Sequence, residues 1–161
     1  MSIIVNSTPL ISLAIIDQLE LLRVIFDDVI IPKSVYDEVI INGKNKSGYA
    51  ELARINWLKV IAINNIVMKR AMMAKLDEGE AEVIILASEL RTKMVCIDEV
   101  AGRRYARFMG LDVIGTLGIL LIAKNKGTIN EIKPLIDKMI DSHIYIRKEL
   151  YYDILTRANE M

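Results

Sequence analysis

Five short apolar runs, separated by segments with helical periodicity, constrain the fold of this chain more than any other feature. The first of them, Ile3-Ile4-Val5, is β-branched and continuous, which is typical of a strand buried on both faces of a sheet. Strands that alternate with helices favour a parallel sheet with helices on both faces. We therefore expect an α/β protein, a three-layer α/β/α sandwich with a mostly parallel central sheet. The predicted strands are residues 3–5, 29–31, 58–63, 94–97 and 112–114.

Helix start signals lie between these strands. Thr8 or Ser7 is the expected N-cap of the first helix, with Pro9 at its first position. Asp77, followed three residues later by Glu80, matches a capping box. These signals and the apolar periodicity predict helices that start at Thr8 and at Pro32 and helices over 18–26, 49–55, 66–75, 77–91, 100–109, 116–126, 129–142 and 148–159.

The composition favours a single domain over residues 1–161 with a large core, because 53% of the residues are hydrophobic. No apolar run reaches the ~18 residues that span a bilayer. The segment Met1–Val5 lacks the basic region of a signal peptide. The single cysteine, Cys96, excludes an intramolecular disulfide and a cysteine zinc cluster. We expect a cytoplasmic protein without a membrane partner.

The charges balance, with 21 lysines and arginines against 21 aspartates and glutamates. A net charge of zero gives no overall attraction to nucleic acid, so any site for nucleic acid has to be local. It also leaves little repulsion between copies of the chain, which favours self-association.

Polar and acidic residues stand where several of the apolar runs stop. Asn6 follows the first predicted strand, Asp98 ends the fourth, and Glu80 lies in the first turn of the helix before it. Glu38 comes six residues after Pro32, where the second strand ends. Because parallel sheets bind ligands outside the carboxyl ends of their strands, we expect Glu38, Glu80 and Asp98 to converge there. Clustered carboxylates repel one another unless they hold a cation, and their hard oxygens suit Mg²⁺ or Mn²⁺.

Each of these residues also fits an ordinary structural role when it is taken alone. Glu38 fits a solvated helix position, and Glu80 fits the third position of a capping box. Asp98 and Thr116 each fit an N-cap, and acids at helix starts are favoured by the helix dipole. Only the whole constellation favours a metal site.

Together, the order and spacing of these motifs resemble the PIN-domain superfamily of metal-dependent ribonucleases, specifically its VapC-like branch. The resemblance runs from the first strand to about Leu155. It implies an α/β/α fold, an acidic pocket that holds Mg²⁺ or Mn²⁺, and metal-assisted cleavage of single-stranded RNA. The stretches that carry it are 5–11, 31–38, 76–87, 95–106 and 115–118.

The resemblance also implies roles for individual residues. Glu38, Glu80 and Asp98 match the catalytic, metal-holding acids, and Glu99 matches either a further acid or a first-turn helix residue. Asn6 stands where the family usually has its first acid, and its amide oxygen is a weaker metal ligand. The hydroxyls of Ser7 or Thr8 are expected to orient water or a metal-bound oxygen, and Thr8 and Thr116 to contact substrate.

Two functions follow from these expectations. The first is a divalent-metal-dependent ribonuclease, the toxin of a toxin–antitoxin pair, with single-stranded RNA and an antitoxin protein as partners. The alternative is a catalytically weakened module that binds RNA or protein, because Asn6 impairs metal binding. We also expect a homodimer, with residues 32–41 and 49–55 at its interface.

Two basic groups are candidates for phosphate contacts. Lys44 and Lys46 lie in the polar, glycine-flanked segment 42–48, which predicts a loop. Arg103 and Arg107 are one turn apart on the helix after Asp98, and share a face. These side chains also fit ordinary solvated charges. No aromatic residue interleaves with them in a pattern that predicts base stacking.

Overall fold

The computed structural model describes all 161 residues and contains one five-stranded sheet. All strands are parallel, in the order β3-β2-β1-β4-β5, which confirms the predicted α/β fold with its parallel sheet. All five strands lie where the apolar runs predicted them. They are β1 Ser2–Val5, β2 Asp28–Pro32, β3 Lys59–Ile61, β4 Met94–Cys96 and β5 Asp112–Ile114.

Ten α-helices connect and cover these strands. They are α1 Ser7–Ile15, α2 Glu20–Ile25, α3 Lys33–Tyr36, α4 Tyr49–Arg54, α5 Ile66–Met72, α6 Glu78–Leu90, α7 Val100–Phe108, α8 Thr116–Asn125, α9 Lys133–Asp141 and α10 Lys148–Arg157. None of them combines the length and the apolar character that a bilayer crossing requires.

The first helix begins closer to its strand than the sequence predicted. Asn6, not Thr8 or Ser7, holds the N-cap position of α1, so Pro9 is third in the helix rather than first. The reason is that the backbone N–H of Asn6 still bonds to the carbonyl of Cys96 in the neighbouring strand, at 3.0 Å. The helix therefore starts at the residue after the last sheet bond.

Helices α7 and α8 start at residues 100 and 116 as predicted, but the two N-cap residues and the start of α9 differ from the expectation. Glu99 and Gly115 hold the N-cap positions of α7 and α8, so Asp98 and Thr116 are not the N-caps. Helix α9 begins at Lys133, not at residue 129, because Pro134 is tolerated only in the first turn of a helix.

The segment after β2 is not one continuous α-helix. Pro32 holds the N-cap position, α3 covers four residues, and a π-helical turn follows over Asp37–Ile41. A π-turn inserts an extra residue into the helical repeat and is frequent at functional sites. Here it carries Glu38.

The core lies on both sides of the sheet, where 38 buried apolar side chains form one cluster. Helix α6 packs across β1, β2 and β4, and α5 packs against α6. Helices α2 and α8 pack against each other in the second helical layer, where α10 contacts α8. Burial on both faces explains why β1 and β4 read as continuous apolar runs.

The strand order places a crevice between β1 and β4. The chain leaves β1 toward β2 and β3, and returns across the sheet to β4 and β5. Val5 and Cys96, the last residues of β1 and β4, are paired in register. The position where strand order reverses is the usual ligand site of open parallel sheets, at the carboxyl ends of the strands. We call this end of the sheet the carboxyl edge.

The carboxylate of Glu160 connects α8 and α9 to the end of α10. Glu160, just beyond α10, accepts hydrogen bonds from the backbone N–H groups of Ile132 and Lys133, at 2.8 and 2.9 Å. It also pairs with the ammonium group of Lys124 on α8, at 2.8 Å. Its side chain is only 9% exposed. We call this arrangement the Glu160 clamp.

Candidate active site

Asn6 presents its amide to the carboxyl edge. The residue is buried, and although it holds the N-cap position its side chain makes no cap hydrogen bond to α1. Its Oδ1 lies against the first turn of α6, because a Cβ added to Gly79 would stand only 2.8 Å from it. The amide oxygen therefore faces the segment that carries Glu80.

Glu80 is buried in the first turn of α6, where it closes the predicted capping box. Its Oε1 accepts from the backbone N–H of Asp77 at 3.0 Å, and its own N–H donates to Asp77 at 2.8 Å. Its second oxygen, Oε2, faces α7, where a Cβ added to Gly102 would stand 2.5 Å away. The capping role and the site role are thus compatible, because they involve different oxygens.

Asp98 lies two residues beyond β4 and is held by the start of α8. The backbone N–H and the hydroxyl of Thr116 donate to its two carboxylate oxygens, at 2.8 and 2.6 Å. The guanidinium group of Arg103 lies nearby and donates to the carbonyl of Ile97 at 2.8 Å. A Cβ added to Gly115 would stand 2.8 Å from Oδ1 of Asp98 and 2.9 Å from Nη1 of Arg103.

Hydroxyl groups at the start of α1 hold the two remaining acids. The hydroxyl of Ser7 donates to Glu38 at 2.6 Å, and the hydroxyl of Thr8 donates to Oε1 of Glu99 at 2.5 Å. The other oxygen of Glu99, Oε2, is buried and has no hydrogen-bond partner. An unpaired buried carboxylate oxygen is costly, and it suggests that a ligand belongs there.

The acids of this edge lack cationic partners. None of Glu38, Glu80, Asp98 and Glu99 forms an ion pair with a lysine, an arginine or the amino terminus. Burial raises the pKa of both Glu80 and Asp98, and the negative charge of Glu99 raises both further. Hydrogen bonds from Asp77 to Glu80 and from Thr116 to Asp98 oppose the rise. The charge of Arg103 lowers the pKa of Asp98 in part, so negative charge is concentrated here without a directly paired cation.

The side chains suit a divalent cation in their chemistry. All the available donors are amide and carboxylate oxygens, the ligands that Mg²⁺ and Mn²⁺ prefer. No group of three or more His, Cys, Asp or Glu side chains stands close enough together to hold a metal ion. A cation would have to draw the carboxylates together. The predicted ligand set stays a prediction.

The structure brings most of the predicted site residues to the carboxyl edge. The charge of Glu99 raises the pKa of both Glu80 and Asp98, and Asn6 lies against the first turn of α6, next to Glu80. The hydroxyls of Thr8 and Thr116 donate to acids, so their predicted contacts with substrate also stay predictions.

Lys44 and Lys46 are not part of this cluster. Both are exposed in the predicted loop between the π-turn and α4. That loop ends at Gly48, which approaches Ala14 in the last turn of α1. The last turn of a nine-residue helix lies roughly 10 Å along the axis from the first turn, where Ser7 and Thr8 stand. The other end of the loop, at Gly43, lies against the backbone carbonyl of Glu38, and the predicted phosphate contacts of Lys44 and Lys46 stay predictions.

Three glycines were not singled out by the sequence reasoning, although the site depends on them. Gly79, Gly102 and Gly115 allow the backbone to approach Asn6, Glu80 and Asp98 where any Cβ would collide. A sequence signal was present for two of them: Gly79 directly precedes Glu80, and Gly115 directly precedes Thr116. The collisions themselves involve residues that are distant in sequence, so no local sequence pattern predicts them.

Glu82, two residues after Glu80, serves the scaffold. It is buried, accepts from the backbone N–H of Ser34 at 3.2 Å and pairs with Lys69 at 2.6 Å. Lys69 also pairs with Glu78, at 2.8 Å. This network fixes the start of α3, and thereby the segment that carries Glu38.

Comparison with models of protein families identifies the family of the chain. A family model described as a PIN domain matches residues 2–160. The matched region includes all five strands, the carboxyl edge and the Glu160 clamp. No curated protein matches the chain.

Proposed function

This chain belongs to the PIN-domain family, and we propose that it is a divalent-metal-dependent endoribonuclease that cleaves single-stranded RNA. PIN domains are nuclease-type proteins and generally use divalent metal ions. The finer assignment, to Mg²⁺ or Mn²⁺ and to single-stranded RNA, is our inference from the residues at the carboxyl edge.

The observation that carries the proposal is the unpaired, buried Oε2 of Glu99. It belongs to a group of acids without an ion pair, in which the charge of Glu99 raises the pKa of Glu80 and Asp98 beyond the rise due to burial and the charge of Arg103 opposes the rise only at Asp98. Such an arrangement costs stability unless a cation is bound, since buried charges require pairing. A bound divalent ion removes that cost.

The residues divide into those that hold a cation and those that orient the holders. Glu38, Glu80 and Asp98, with the amide oxygen of Asn6, are the proposed ligands, and Glu99 supports them. The hydroxyls of Ser7, Thr8 and Thr116 keep the carboxylates of Glu38, Glu99 and Asp98 in position. When bound, the divalent ion supplies Lewis-acid chemistry: it polarises the phosphate and lowers the pKa of the attacking water.

A second candidate function rests on Asn6. A neutral amide at this position removes one negative charge from the ligand set, and the affinity for divalent ions depends strongly on ligand charge and number. If the amide does not suffice, the protein is a module that binds RNA or protein and turns over RNA slowly or not at all.

The decisive experiment measures cleavage of a labelled single-stranded RNA with Mg²⁺, with Mn²⁺ and with chelator. We expect cleavage that requires the metal and is lost in Asp98→Asn. Glu160→Gln, which alters a buried acid far from this edge, is the matched control and should cleave like the parent. A parent that binds RNA or a partner protein but binds Mn²⁺ weakly and cleaves no RNA would support the second candidate instead.

The proposal extends to partners. By its resemblance to the VapC-like branch, we propose that the protein is the toxin of a toxin–antitoxin pair and acts in the cytoplasm. The test is expression of the parent and of Asp98→Asn in separate cultures. Growth arrest by the parent alone agrees with the proposal, and equal growth of both cultures argues against a toxin.

We also propose that the chain forms a homodimer. Ile41, at the end of the π-turn, is 60% exposed within the segment predicted for the interface. Light scattering at protein concentrations of tens of micromolar should give twice the monomer mass. Such concentrations detect a dimer of moderate affinity. Ile41→Glu should shift the mass toward the monomer, and a parent that is already monomeric would rule the dimer out.

A further inference from the structure

Helix α7 exposes apolar side chains on its outer face. Val100 is 71% exposed and Phe108 is 83% exposed, the second highest value among the large apolar side chains of the surface. Arg104 stands between them at a spacing of four residues, so the three side chains form one strip along the helix. An exposed phenylalanine at the end of such a strip suggests a surface that contacts another molecule.

The same helix carries uncompensated positive charge. Arg103, Arg104 and Arg107 all lie on α7, which contains no acidic residue. None of the three forms an ion pair. Elsewhere, several lysines and arginines pair with acids on their own helix, as Arg23 and Lys133 do. The face of α7 is therefore a local basic surface on a chain without net charge.

The ring of Phe108 is supported from one side. Tyr105, which packs partly against the core, meets it edge to face, with the ring centroids 6.2 Å apart. This contact restricts the phenylalanine ring and leaves most of it open to solvent. A restrained, exposed aromatic ring next to arginines is the arrangement on which single-stranded nucleic acids stack their bases.

The strip begins at the acidic site. Helix α7 starts directly after Asp98 and Glu99, and Gly102 in its first turn lies against Glu80. From Val100 to Phe108 the helix extends roughly 12 Å away from that site. A strand whose phosphate reaches the acids would thus meet the arginines and the ring next along its length.

We propose that single-stranded RNA leaves the acidic site along α7, with phosphates at Arg104 and Arg107 and one base stacked on Phe108. The inference deepens the proposed function and rests on it for the choice of RNA. Positive charge favours RNA over an apolar protein partner, because two exposed, unpaired arginines, Arg104 and Arg107, next to one ring match phosphates and a base. Phe108 is a positioning residue here, since the acids perform the chemistry.

The first experiment measures RNA binding in chelator, where cleavage cannot contribute. The probe is a labelled oligouridine of about ten nucleotides, within the site sizes of single-strand binders. Phe108→Ala should weaken binding roughly 5- to 150-fold, which is the range of base–aromatic stacking, and Phe108→Trp should retain it. The matched control is Tyr145→Ala, because Tyr145 is 86% exposed and lies far along the chain. It should change affinity by less than about twofold.

A probe without bases separates stacking from a change in the protein. With an abasic oligonucleotide of the same length, Phe108→Ala should bind as the parent does, because no base remains to stack. The same loss on both probes would mean that the ring supports the helix rather than the RNA, and would overturn the stacking assignment.

The arginines are tested by salt dependence. Each phosphate contact on a single strand contributes about 0.7 to the slope of log affinity against log salt. Arg104→Ala with Arg107→Ala should therefore reduce the slope by about 1.4, while Arg70→Ala, an exposed arginine without an ion pair on α5, should leave it unchanged. An unchanged slope in the double variant refutes the path along α7 and leaves a protein partner as the occupant of the strip.

The outcomes separate this inference from the proposed function. If the parent binds RNA with these dependences but never cleaves it, the path along α7 is supported and the nuclease function is excluded. If the parent cleaves RNA and Phe108→Ala does not change the KM, the nuclease function is supported and the path along α7 is excluded.

Discussion

The Glu160 clamp and the carboxyl edge both bury carboxylates, but they treat them in opposite ways. Burial alone would raise the pKa of Glu160, yet hydrogen bonds from Lys124, Ile132 and Lys133 and the charge of Lys124 lower it overall. At the carboxyl edge, burial raises the pKa of Glu80 and Asp98, and the neighbouring Glu99 adds to the rise.

The difference lies in what surrounds each acid. Glu160 has a cation and two backbone donors at the start of α9, where the helix dipole also favours negative charge. The acids of the edge have hydroxyls and backbone groups but no ion pair, and the nearby charge of Arg103 acts only on Asp98. The clamp therefore stabilises the fold by itself. The repulsion among the acids of the edge, in contrast, lowers the stability of the fold until a cation binds there. Burial of an acid does not indicate function, but burial without a counter-charge does.

Removing one acid from the edge should have the largest effect. Asp98→Asn keeps the shape of the side chain and removes its charge, so we expect Mn²⁺-dependent cleavage to fall by about 100-fold or more, since even outer-shell losses cost ~10–100-fold. Cleavage assays and a calorimetric Mn²⁺ titration measure the effect. Glu160→Gln is the control. If both variants lose activity equally, the contrast between the two sites is wrong.

Adding an acid to the edge should have the next largest effect. Asn6→Asp supplies a further negative charge facing α6, and we expect it to tighten Mg²⁺ binding by roughly 10- to 100-fold and to raise cleavage. Without metal, the buried charge should make the variant less stable than the parent. The prediction fails if the parent already cleaves as fast as the variant at low Mg²⁺.

Neutralising the clamp should affect stability alone. Glu160→Gln replaces a charged acceptor by an amide that cannot serve Lys124 and both backbone donors. The free energy of unfolding should fall by about 1–3 kcal/mol, the usual cost of leaving buried polar groups unpaired. Urea denaturation measures this fall. The increase in thermal midpoint on adding Mn²⁺ should match that of the parent, and a smaller increase would show that the two sites are coupled.

The smallest effect concerns pH, where the two sites should act in opposite directions. Glu80 and Asp98 have raised pKa values when folded, so the metal-free fold binds more protons than the unfolded chain, and these groups lower stability as pH rises through the acid range. Glu160 has a lowered pKa, so its contribution is present above its unfolded pKa and is lost as pH falls through the folded value.

Urea denaturation in chelator between about pH 3 and 7 measures the slope of the free energy of unfolding against pH. Over this range, we expect each site to change the free energy of unfolding by about 1 kcal/mol or less. Glu80→Gln with Asp98→Asn should remove the first slope, and Glu160→Gln the second. A double variant at the edge that leaves the pH profile unchanged would show that burial does not perturb these acids.

The sequence predicted the sheet and much of the edge, because both follow from local patterns. Apolar runs predicted all five strands, and the capping box predicted how Asp77 and Glu80 begin α6. Since parallel strands all end on one side, Asn6 and Asp98 had to meet at one edge. The resemblance to PIN domains, confirmed by the family match, added the acids that topology alone left open.

What the sequence did not predict depends on contacts between distant residues. The bond from Thr8 to Glu99 joins residues 91 positions apart, and it decides that the other oxygen of Glu99 stays unpaired. Because the backbone N–H of Asn6 still bonds to the neighbouring strand, Asn6 holds the N-cap position of α1 in place of Ser7 or Thr8. The exposure of Phe108 depends on how α7 lies on the sheet, and no local pattern separates it from a core phenylalanine.

The central position of β1 also fixes the order in which the site is completed during synthesis. Its neighbour β4 and the partner of Thr8 are made about 90 residues later, which takes roughly 5 to 18 s at ribosomal speed. Until then, the nascent chain can pair β1 only with β2, and Asp98 and Glu99, which follow β4, are not yet in place at the edge. Any chemistry of the carboxyl edge therefore begins only after β4 and α7 have emerged from the ribosome.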